Sequence, residues 1–249
     1  MARKERIDKL LVERGLAETR ARAQALVMAG DVLAGEHRVD KPGQLVDVEL
    51  PLRLKGEGLK YVSRGALKLE AALDAYGIDP RGLLCVDLGA STGGFTDLLL
   101  QRGATEVWAV DVGYGQLHEK LRQDPRVHSF ERINARSVTL AEIAAPRPFD
   151  LAVMDLSFIS LALVLPAARE LVRPGGQLVM LVKPQFEVGP QDVGKGGVVR
   201  DPAARQASID RIAGVCAELG LEVAGLIDSP VHGPAGNVEA LLWARRPVG

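Results

Sequence analysis

One stretch, Val86-Asp87-Leu88-Gly89-Ala90-Ser91-Thr92-Gly93-Gly94-Phe95-Thr96-Asp97, constrains the fold more than any other. Its apolar run reads as a buried strand, its glycines as a tight turn, and the residues from Gly94 onward as the start of a helix. Strand, glycine turn and helix in that order open a βαβ unit, which binds its ligand at the turn. The glycine spacing selects the ligand. A dinucleotide fingerprint needs Gly-x-Gly-x-x-Gly, whose second glycine lets the backbone approach a pyrophosphate. Here Ser91 holds that second position and the pattern is Gly89-x-x-x-Gly93-Gly94. This disfavours a nicotinamide dinucleotide and suits a nucleoside without a pyrophosphate, of which S-adenosylmethionine is the common one. A tight turn with no ligand is the plain alternative.

The next strand-like run, Glu106-Val107-Trp108-Ala109-Val110-Asp111, ends in an acid. An acid at the end of the second strand, ~20 residues beyond the turn, sits beside a ligand's ribose hydroxyls. A solvated strand-end acid is common, but two matching signals in one βαβ unit favour an adenosine-containing cofactor. Asp87, Gly89, Ser91, Gly93, Gly94, Phe95, Asp111 and Val112 are the candidate contacts from these two strand ends.

The chain has 249 residues, 47% apolar and 25% charged, enough for one large or two modest domains. Cys85 and Cys216 are neither clustered nor preceded by a secretory pattern, and they read as buried thiols of a cytoplasmic protein. Met1 to Arg6 lacks an apolar core, so no leader is expected. The apolar region Leu151–Pro166 is interrupted by Asp155 and is too short for a bilayer, which argues against a membrane partner. No metal-ligand spacing is present either. Net charge is −1, so the chain as a whole announces no nucleic-acid partner. The connector 51–68 differs, carrying Arg53, Lys55, Lys60, Arg64 and Lys68 against Glu57 alone. A local basic strip suffices for phosphate contacts, although a solvated linker would look the same.

Ile7, Leu10 and Leu11 form a helical stripe in Arg6–Gly15, and Thr19 caps a second helix that Gly30 ends. Asp31–Leu50 reads as short strands with turns at Gly35 and Lys41-Pro42-Gly43, and Leu52–Gly58 as a polar link. The expected division is therefore 1–58 and 59–249. Beyond it, a helix at about 64–76 precedes strand-like runs at 83–90, 106–112, 127–133, 149–156, 177–183, 222–230 and 238–245. Helical patterns lie at 94–102, 159–172 and 202–219. Alternating strands and helices predict a mainly parallel sheet covered on both faces. Only a turn, 231–236, separates the last two strands, which should therefore form an antiparallel pair at the sheet edge. The expected fold is α/β, the seven-stranded, Rossmann-like sheet of class I methyltransferases, preceded by a small α+β domain.

Ligands of open α/β sheets bind at the carboxyl ends of the parallel strands. Asp155 and Lys183 end two such runs, and Glu239 starts the reversed one, so the topology gathers all three at one edge. Lys68 joins them only if its helix packs nearby. Each alone is ordinary solvated surface, but together they suit deprotonation of a weakly acidic hydroxyl. A free lysine titrates near ~10.4, whereas a general base works best at about 7–8. Desolvation and a second cation lower that value, so Lys68 would help activate Lys183 while Asp155 and Glu239 position it. Lys183 would then take a 2′-hydroxyl proton. Enzymes that methylate base amines commonly carry an Asp/Asn-Pro-Pro-aromatic segment on the fourth strand. Asp155-Leu156-Ser157-Phe158 lacks it, which favours oxygen as the acceptor.

Tyr61–Leu69, Val86–Phe95, Asp155-Leu156-Ser157-Phe158 and Leu181-Val182-Lys183-Pro184-Gln185-Phe186-Glu187 resemble the TlyA family of bacterial rRNA ribose methyltransferases, also labelled haemolysin A. Residues 1–58 are similar to an S-four-type RNA-binding domain with its linker, and 59–249 to an FtsJ-like S-adenosylmethionine-dependent domain. The resemblance covers nearly the whole chain. It implies the tetrad Lys68, Asp155, Lys183 and Glu239, and cofactor contacts at Gly89, Gly93, Phe95, Asp111 and Asn134, with Asp155 also facing the cofactor. Related FtsJ-type enzymes often have aspartate where Asn134 stands. The partner it implies is ribosomal RNA or a ribosomal subunit, docked through Arg3, Lys4, Arg6, Arg20, Arg22 and Arg64. Family members acting on both subunits carry paired glutamines in the second helix. Arg20-Ala21-Arg22-Ala23-Gln24-Ala25 lacks the pair, so a cytidine ribose of large-subunit rRNA is the expected acceptor. The rivals are a small-molecule O-methyltransferase, a non-catalytic ribosome-assembly factor and a membrane-lytic protein. The Gly-rich segment Gly189–Arg200 is not a phosphate-binding P-loop, because no Ser or Thr follows Lys195. It reads as a flexible insert that orders on RNA, or as a loop without function.

Overall fold

The computed structural model describes residues 4–17, 19–35, 37–54, 60–233 and 235–248, with Arg53 described by its backbone alone. Arg3, Lys55 and Glu57 and the expected boundary at 58/59 lie outside the described residues. Two compact units are present, Met1–Lys60 and Tyr61–Gly249.

In the first unit, β1 (Lys4–Arg6) leads into α1 (Ile7–Glu13) and α2 (Arg20–Ala29), followed by β2 (Val32–Ala34), β3 (His37–Arg38), β4 (Leu45–Asp47) and β5 (Leu52–Leu54). The Thr19 side chain accepts a hydrogen bond from the Arg22 N–H, capping α2. Ile7, Leu11 and Ala23 are fully buried at the helix contact, and burying a side chain the size of Ile7 or Leu11 contributes about 1.5–3 kcal/mol. Two features depart from the expectation. Arg6 lies in β1, which pairs with β4, rather than in the first helix. The start of the expected link is β5, a core strand paired with β2. Leu52 and Leu54 are buried there. Only a Leu-Arg-Leu alternation marks this strand, and the surrounding charges conceal so short a pattern.

The second unit begins with α3 (Ala66–Tyr76) and continues β6 (Leu84–Leu88), α4 (Gly94–Gln101), β7 (Glu106–Asp111), α5 (Glu119–Arg122), β8 (Val127–Glu131), β9 (Phe149–Met154), α6 (Leu161–Leu171), β10 (Val172–Val182), α7 (Pro184–Glu187), α8 (Pro202–Glu218), β11 (Glu222–Asp228) and β12 (Ala240–Arg245). These strands form one seven-stranded sheet in the order β11-β12-β10-β9-β6-β7-β8. β12 is antiparallel to both its neighbours, and the pairs β10–β9, β9–β6, β6–β7 and β7–β8 are parallel. Side chains alternate between two cores, as a strand's period of two requires. Leu84, Val86 and Leu88 pack with α6 and α8 residues such as Val164, Leu165, Ile209 and Ile212. Cys85 packs on the other face with Leu69 and Leu73 of α3 and Leu98 and Leu99 of α4.

β11 and β12 form the expected antiparallel pair at the sheet edge, with β11 outermost and β12 inserted between it and β10. β10 begins earlier than expected. Gly175 and Gly176 stay in the strand, which shifts register between Val172 and Gln177. There the Gly175 N–H donates to the Arg246 carbonyl at 2.7 Å, and the Arg246 N–H to the Gly176 carbonyl at 2.9 Å.

Candidate active site

Strand register assembles the site. Leu88 pairs with Val110 on one side and Met154 on the other, so Gly89, Asp111 and Asp155 are the next residues at three adjacent strand ends. Val182 pairs with Ala240. Because those strands are antiparallel, Lys183 and Glu239 face each other just beyond the last pair. Lys68 comes from α3, which is tied to β12 at its far end: the Tyr76 hydroxyl donates to the Leu241 carbonyl at 2.6 Å, and its ring stacks on Trp243 at 5.2 Å. The helix thus lies close enough for Lys68 to reach the edge, the condition that sequence left open.

The four side chains meet as two ion pairs. Lys68 Nζ lies 2.5 Å from Glu239 Oε2, with both residues buried. Lys183 Nζ lies 2.7 Å from Asp155 Oδ1 and donates to Ser157 Oγ at 2.8 Å. The contact with Asp155 is an ion pair without hydrogen-bond alignment, so Asp155 Oδ1 makes no hydrogen bond. Glu239 Oε1 and Asp87 Oδ1 are also buried without a partner. Lys68 is therefore not an unpaired second cation beside Lys183, because a carboxylate accompanies each ammonium.

Beside these pairs runs a cleft of about 520 Å³ lined by Gly89, Ser91, Asp111, Val112, Gln116, Ile133, Asn134, Asp155, Ser157 and Phe158. A smaller recess of about 170 Å³ shares Gly89, Ser91, Asp155 and Ser157 with it and adds Asp87, Gly94, Phe95, Lys183, Ser63 and Gly65. Asp111 organises the turn, its Oδ2 accepting from the Ser91 N–H at 2.8 Å and its Oδ1 from the Gly113 N–H at 2.7 Å. Ser91 adopts φ +49°, unusual for a residue with a side chain, and that bond supports it. Asn134 Oδ1 accepts from the Arg136 N–H at 3.0 Å. Gly93, with φ +94°, caps α4 and lines neither the cleft nor the recess, whereas Gly94 and Phe95 line the recess.

Asp87 is buried under the turn, where Thr96 donates to Oδ2 through its N–H at 3.0 Å and its hydroxyl at 2.7 Å. Burial, helped by the nearby Asp155, pushes its carboxyl up to about 7 against those two bonds.

Sequence reasoning missed several residues. Ser157 and Glu187 lie inside two of the motifs quoted above, where neither carried a role. Buried Glu187 accepts from Ser160 Oγ at 2.6 Å, the Leu161 N–H at 2.7 Å and Arg211 Nη1 at 2.9 Å. Burial raises its carboxyl pKa despite these donors. This carboxylate ties the chain after Lys183 to the chain after Asp155. Asp97 receives the Val62 N–H at 2.8 Å and so fixes the segment that brings Ser63 and Gly65 to the recess. Asn237 had no signal in the sequence.

In the first unit, Arg6 and Arg20 grip a buried carboxylate. Arg6 Nη2 lies 2.9 Å and Arg20 Nε 3.0 Å from Asp8 Oδ2, which also accepts from Gln24 Nε2 at 3.0 Å. The Arg6 bond, outweighing burial with help from Gln24 and Arg20, holds the Asp8 carboxyl well below the usual range. Lys4, Arg22 and, in the second unit, Arg64 are exposed. Among the described residues, no cluster of His, Cys, Asp and Glu could hold a metal, and no helix is long and apolar enough to cross a membrane.

The FtsJ-like methyltransferase family model matches residues 61–246. The chain belongs to that family. An S4 domain model matches residues 5–50, so the FtsJ-like unit follows an RNA-binding module. The chain is 49% identical over 246 residues to the 16S/23S rRNA (cytidine-2′-O)-methyltransferase TlyA of Mycobacterium tuberculosis, covering 98% of this chain and 91% of that protein. It is 37% identical over 180 residues to the 23S rRNA (cytidine-2′-O)-methyltransferase TlyA of Campylobacter jejuni, covering 72% of this chain and 68% of that one. A solved structure from Streptococcus thermophilus, assigned there to the hemolysins, superposes with a TM-score of 0.76 at 44% identity, covering 99% of this chain and 90% of that one.

An FtsJ-like methyltransferase takes S-adenosylmethionine as its methyl donor, and the cleft fits that molecule. Its volume is in the range of nucleoside-sized sites. Asp87 Oδ1, buried at the recess without a hydrogen bond, suits a cationic ligand, and the Asp111 carboxylate lines the cleft.

Proposed function

We propose that this chain methylates the 2′-hydroxyl of a cytidine ribose in ribosomal RNA. The observation that carries the reading is the pair of lysine–carboxylate contacts, Lys68–Glu239 and Lys183–Asp155, at the edge of a nucleoside-sized cleft. The absence of a Pro-Pro-aromatic segment after Asp155 and the activities for which the relatives are named support oxygen as the acceptor.

S-Adenosylmethionine, when bound, supplies an electrophilic methyl group on a sulfonium. Asp111 would receive the ribose hydroxyls of that cofactor and Asn134 would hold its adenine edge. Asp87, Gly89, Ser91, Gly94, Phe95 and Val112 line the rest, and Gly93 shapes the turn. Lys183 Nζ would accept the 2′-hydroxyl proton of the acceptor ribose while the bound cofactor would supply the methyl group and leave without it. Asp155 Oδ1 then holds the resulting ammonium, and Lys183 returns the proton to solvent. Lys68 and Glu239, locked together, orient the acceptor ribose.

Lys4, Arg6, Arg20, Arg22 and Arg64, together with Arg3, are the proposed phosphate-binding residues, and Asp8 fixes the direction of two of them. Replacing any one of them by alanine should lower the slope of log affinity against log salt by about one unit.

Subunit range forms a second reading. The missing glutamine pair favours the large subunit alone, whereas the higher identity to the 16S/23S relative than to the 23S relative favours both. Incubating the protein with methyl-labelled S-adenosylmethionine and separated ribosomal subunits tests both readings. Label on a large-subunit ribose, lost in Lys183→Ala, supports the proposal, and label on both subunits widens its substrate. If neither subunit is labelled while the cofactor still binds, the RNA assignment fails. Dye release from liposomes by the wild type would instead favour a membrane-lytic protein.

A further inference from the structure

Beyond α7 the chain leaves the sheet edge and returns at α8, and no step proposed above uses that segment. It contains a small hairpin, in which the Gly194 N–H donates to the Val198 carbonyl at 3.0 Å and the Gly197 N–H to the Gly194 carbonyl at 3.0 Å. One distant side chain holds it. Asn237 Oδ1 accepts from the Val199 N–H at 2.9 Å, and Asn237 Nδ2 donates to the Gly197 carbonyl at 2.8 Å. Asn237 is 1% exposed. Both ends of its amide are engaged, so the plane has one orientation, and any shift of the hairpin would leave a buried donor or acceptor unmet.

The same residue shapes the turn leading to Glu239. Its carbonyl accepts from the Gly233 N–H at 3.0 Å, drawing residue 233 over the buried carboxylate. A Cβ at Gly233 would stand 2.7 Å from Glu239 Oε1, so a larger residue there would have to displace the buried carboxylate. Asn237 therefore touches, on one side, chain that continues from Lys183 and, on the other, chain that ends in Glu239.

We propose that Asn237 is a positioning residue: it staples the 194–199 hairpin to the 233–237 turn and so fixes the placement of Glu239, and with it Lys68, relative to Lys183. This rests on the tetrad reading above. A misplacement of about 1 Å among reacting groups costs up to ~100-fold in rate, whereas the cofactor cleft contains no part of the staple.

The test compares wild type, Asn237→Ala and Asn237→Asp as full chains. Single-turnover methyl transfer to large-subunit rRNA is normalised to the S-adenosylmethionine-bound fraction from titration, and hydrogen exchange is followed in peptide 189–200. Asn237→Ala should keep cofactor affinity within about twofold and lose roughly 10- to 100-fold in rate, with faster exchange at the hairpin. Asn237→Asp keeps the bond from Val199 and loses the one to Gly197, so its rate should fall between the other two. Should Asn237→Ala lose cofactor binding, Asn237→Asp carries the same comparison. A normalised rate within twofold of wild type in the variants overturns the positioning role. A wild type that labels no rRNA overturns the proposed reaction instead, so the two failures are distinguishable.

Discussion

Gly89 and Asp155 meet at the main chain: a Cβ on residue 89 would stand 2.7 Å from the Asp155 carbonyl oxygen and 3.1 Å from the Leu156 side chain, at φ +86°. The first glycine of the turn is thus required by the neighbouring strand end as well as by any ligand. Gly89→Ala should lower stability by at least about 1 kcal/mol through the left-handed backbone and the clash. It should also push Asp155 from Lys183 and weaken cofactor binding more than tenfold. A thermal melt and a cofactor titration on one preparation would read both effects.

Removing one partner of a buried ion pair strands the other. Glu239→Ala should destabilise the second unit by about 3–5 kcal/mol, whereas Lys68→Met with Glu239→Leu should be nearly neutral in urea denaturation. Neither protein should transfer methyl groups. A stable double variant that remained active would remove this pair from the mechanism.

Asp87 gives cofactor binding a pH dependence. With its carboxyl raised to about 7, it is anionic above that pH and protonated below it. Affinity for the cationic cofactor should therefore fall between pH 8 and pH 6 and be flat over that range in Asp87→Asn. The ligand-free fold responds in the opposite sense. An unfolded aspartate titrates near ~3.9, so the stability gained from the raised folded value is complete below that pH and lost as pH climbs towards 7. Melting temperatures of wild type and Asp87→Asn across pH 4–8 should converge towards the acid end.

Asp150 behaves in reverse. Burial opposes its ionisation, but hydrogen bonds from Arg147, Arg173 and the Leu84 N–H outweigh it and hold the carboxyl at about 2. Its contribution is present above ~3.9 and lost as pH falls towards 2. Asp150→Asn should melt lower at pH 7 and lose less than wild type on acidification, as circular dichroism would record.

The βαβ signal was legible because strand end, glycine turn and helix are contiguous, so Val86–Asp97 and Glu106–Asp111 could be read as local units. Asp155 and Lys183 followed from the rule that ligands gather at the carboxyl ends of strands. What sequence could not supply was pairing. Nothing local shows that Lys68 closes on Glu239, because the contact depends on Tyr76 reaching Leu241 and Trp243. Asn237 is an ordinary turn residue until the 194–199 hairpin is folded against it. In the first unit, Arg6 and Arg20 read as free charges, whereas Asp8 is the buried centre that fixes them.

The insertion of β12 between β10 and β11 also sets an order of assembly. Lys68 and Glu239 are 171 positions apart in sequence, and among the described residues β11 has no neighbour in the sheet except β12. Until residues 240–245 thread into that gap, β11 cannot join the sheet, β10 presents a bare edge, and the counter-charge of Lys68 is missing. A chain emerging during synthesis, or one cut short before residue 239, therefore lacks the final acid of the tetrad for as long as it lacks a finished sheet. Structural completion and chemical competence arrive in a single event, delivered by the same strand.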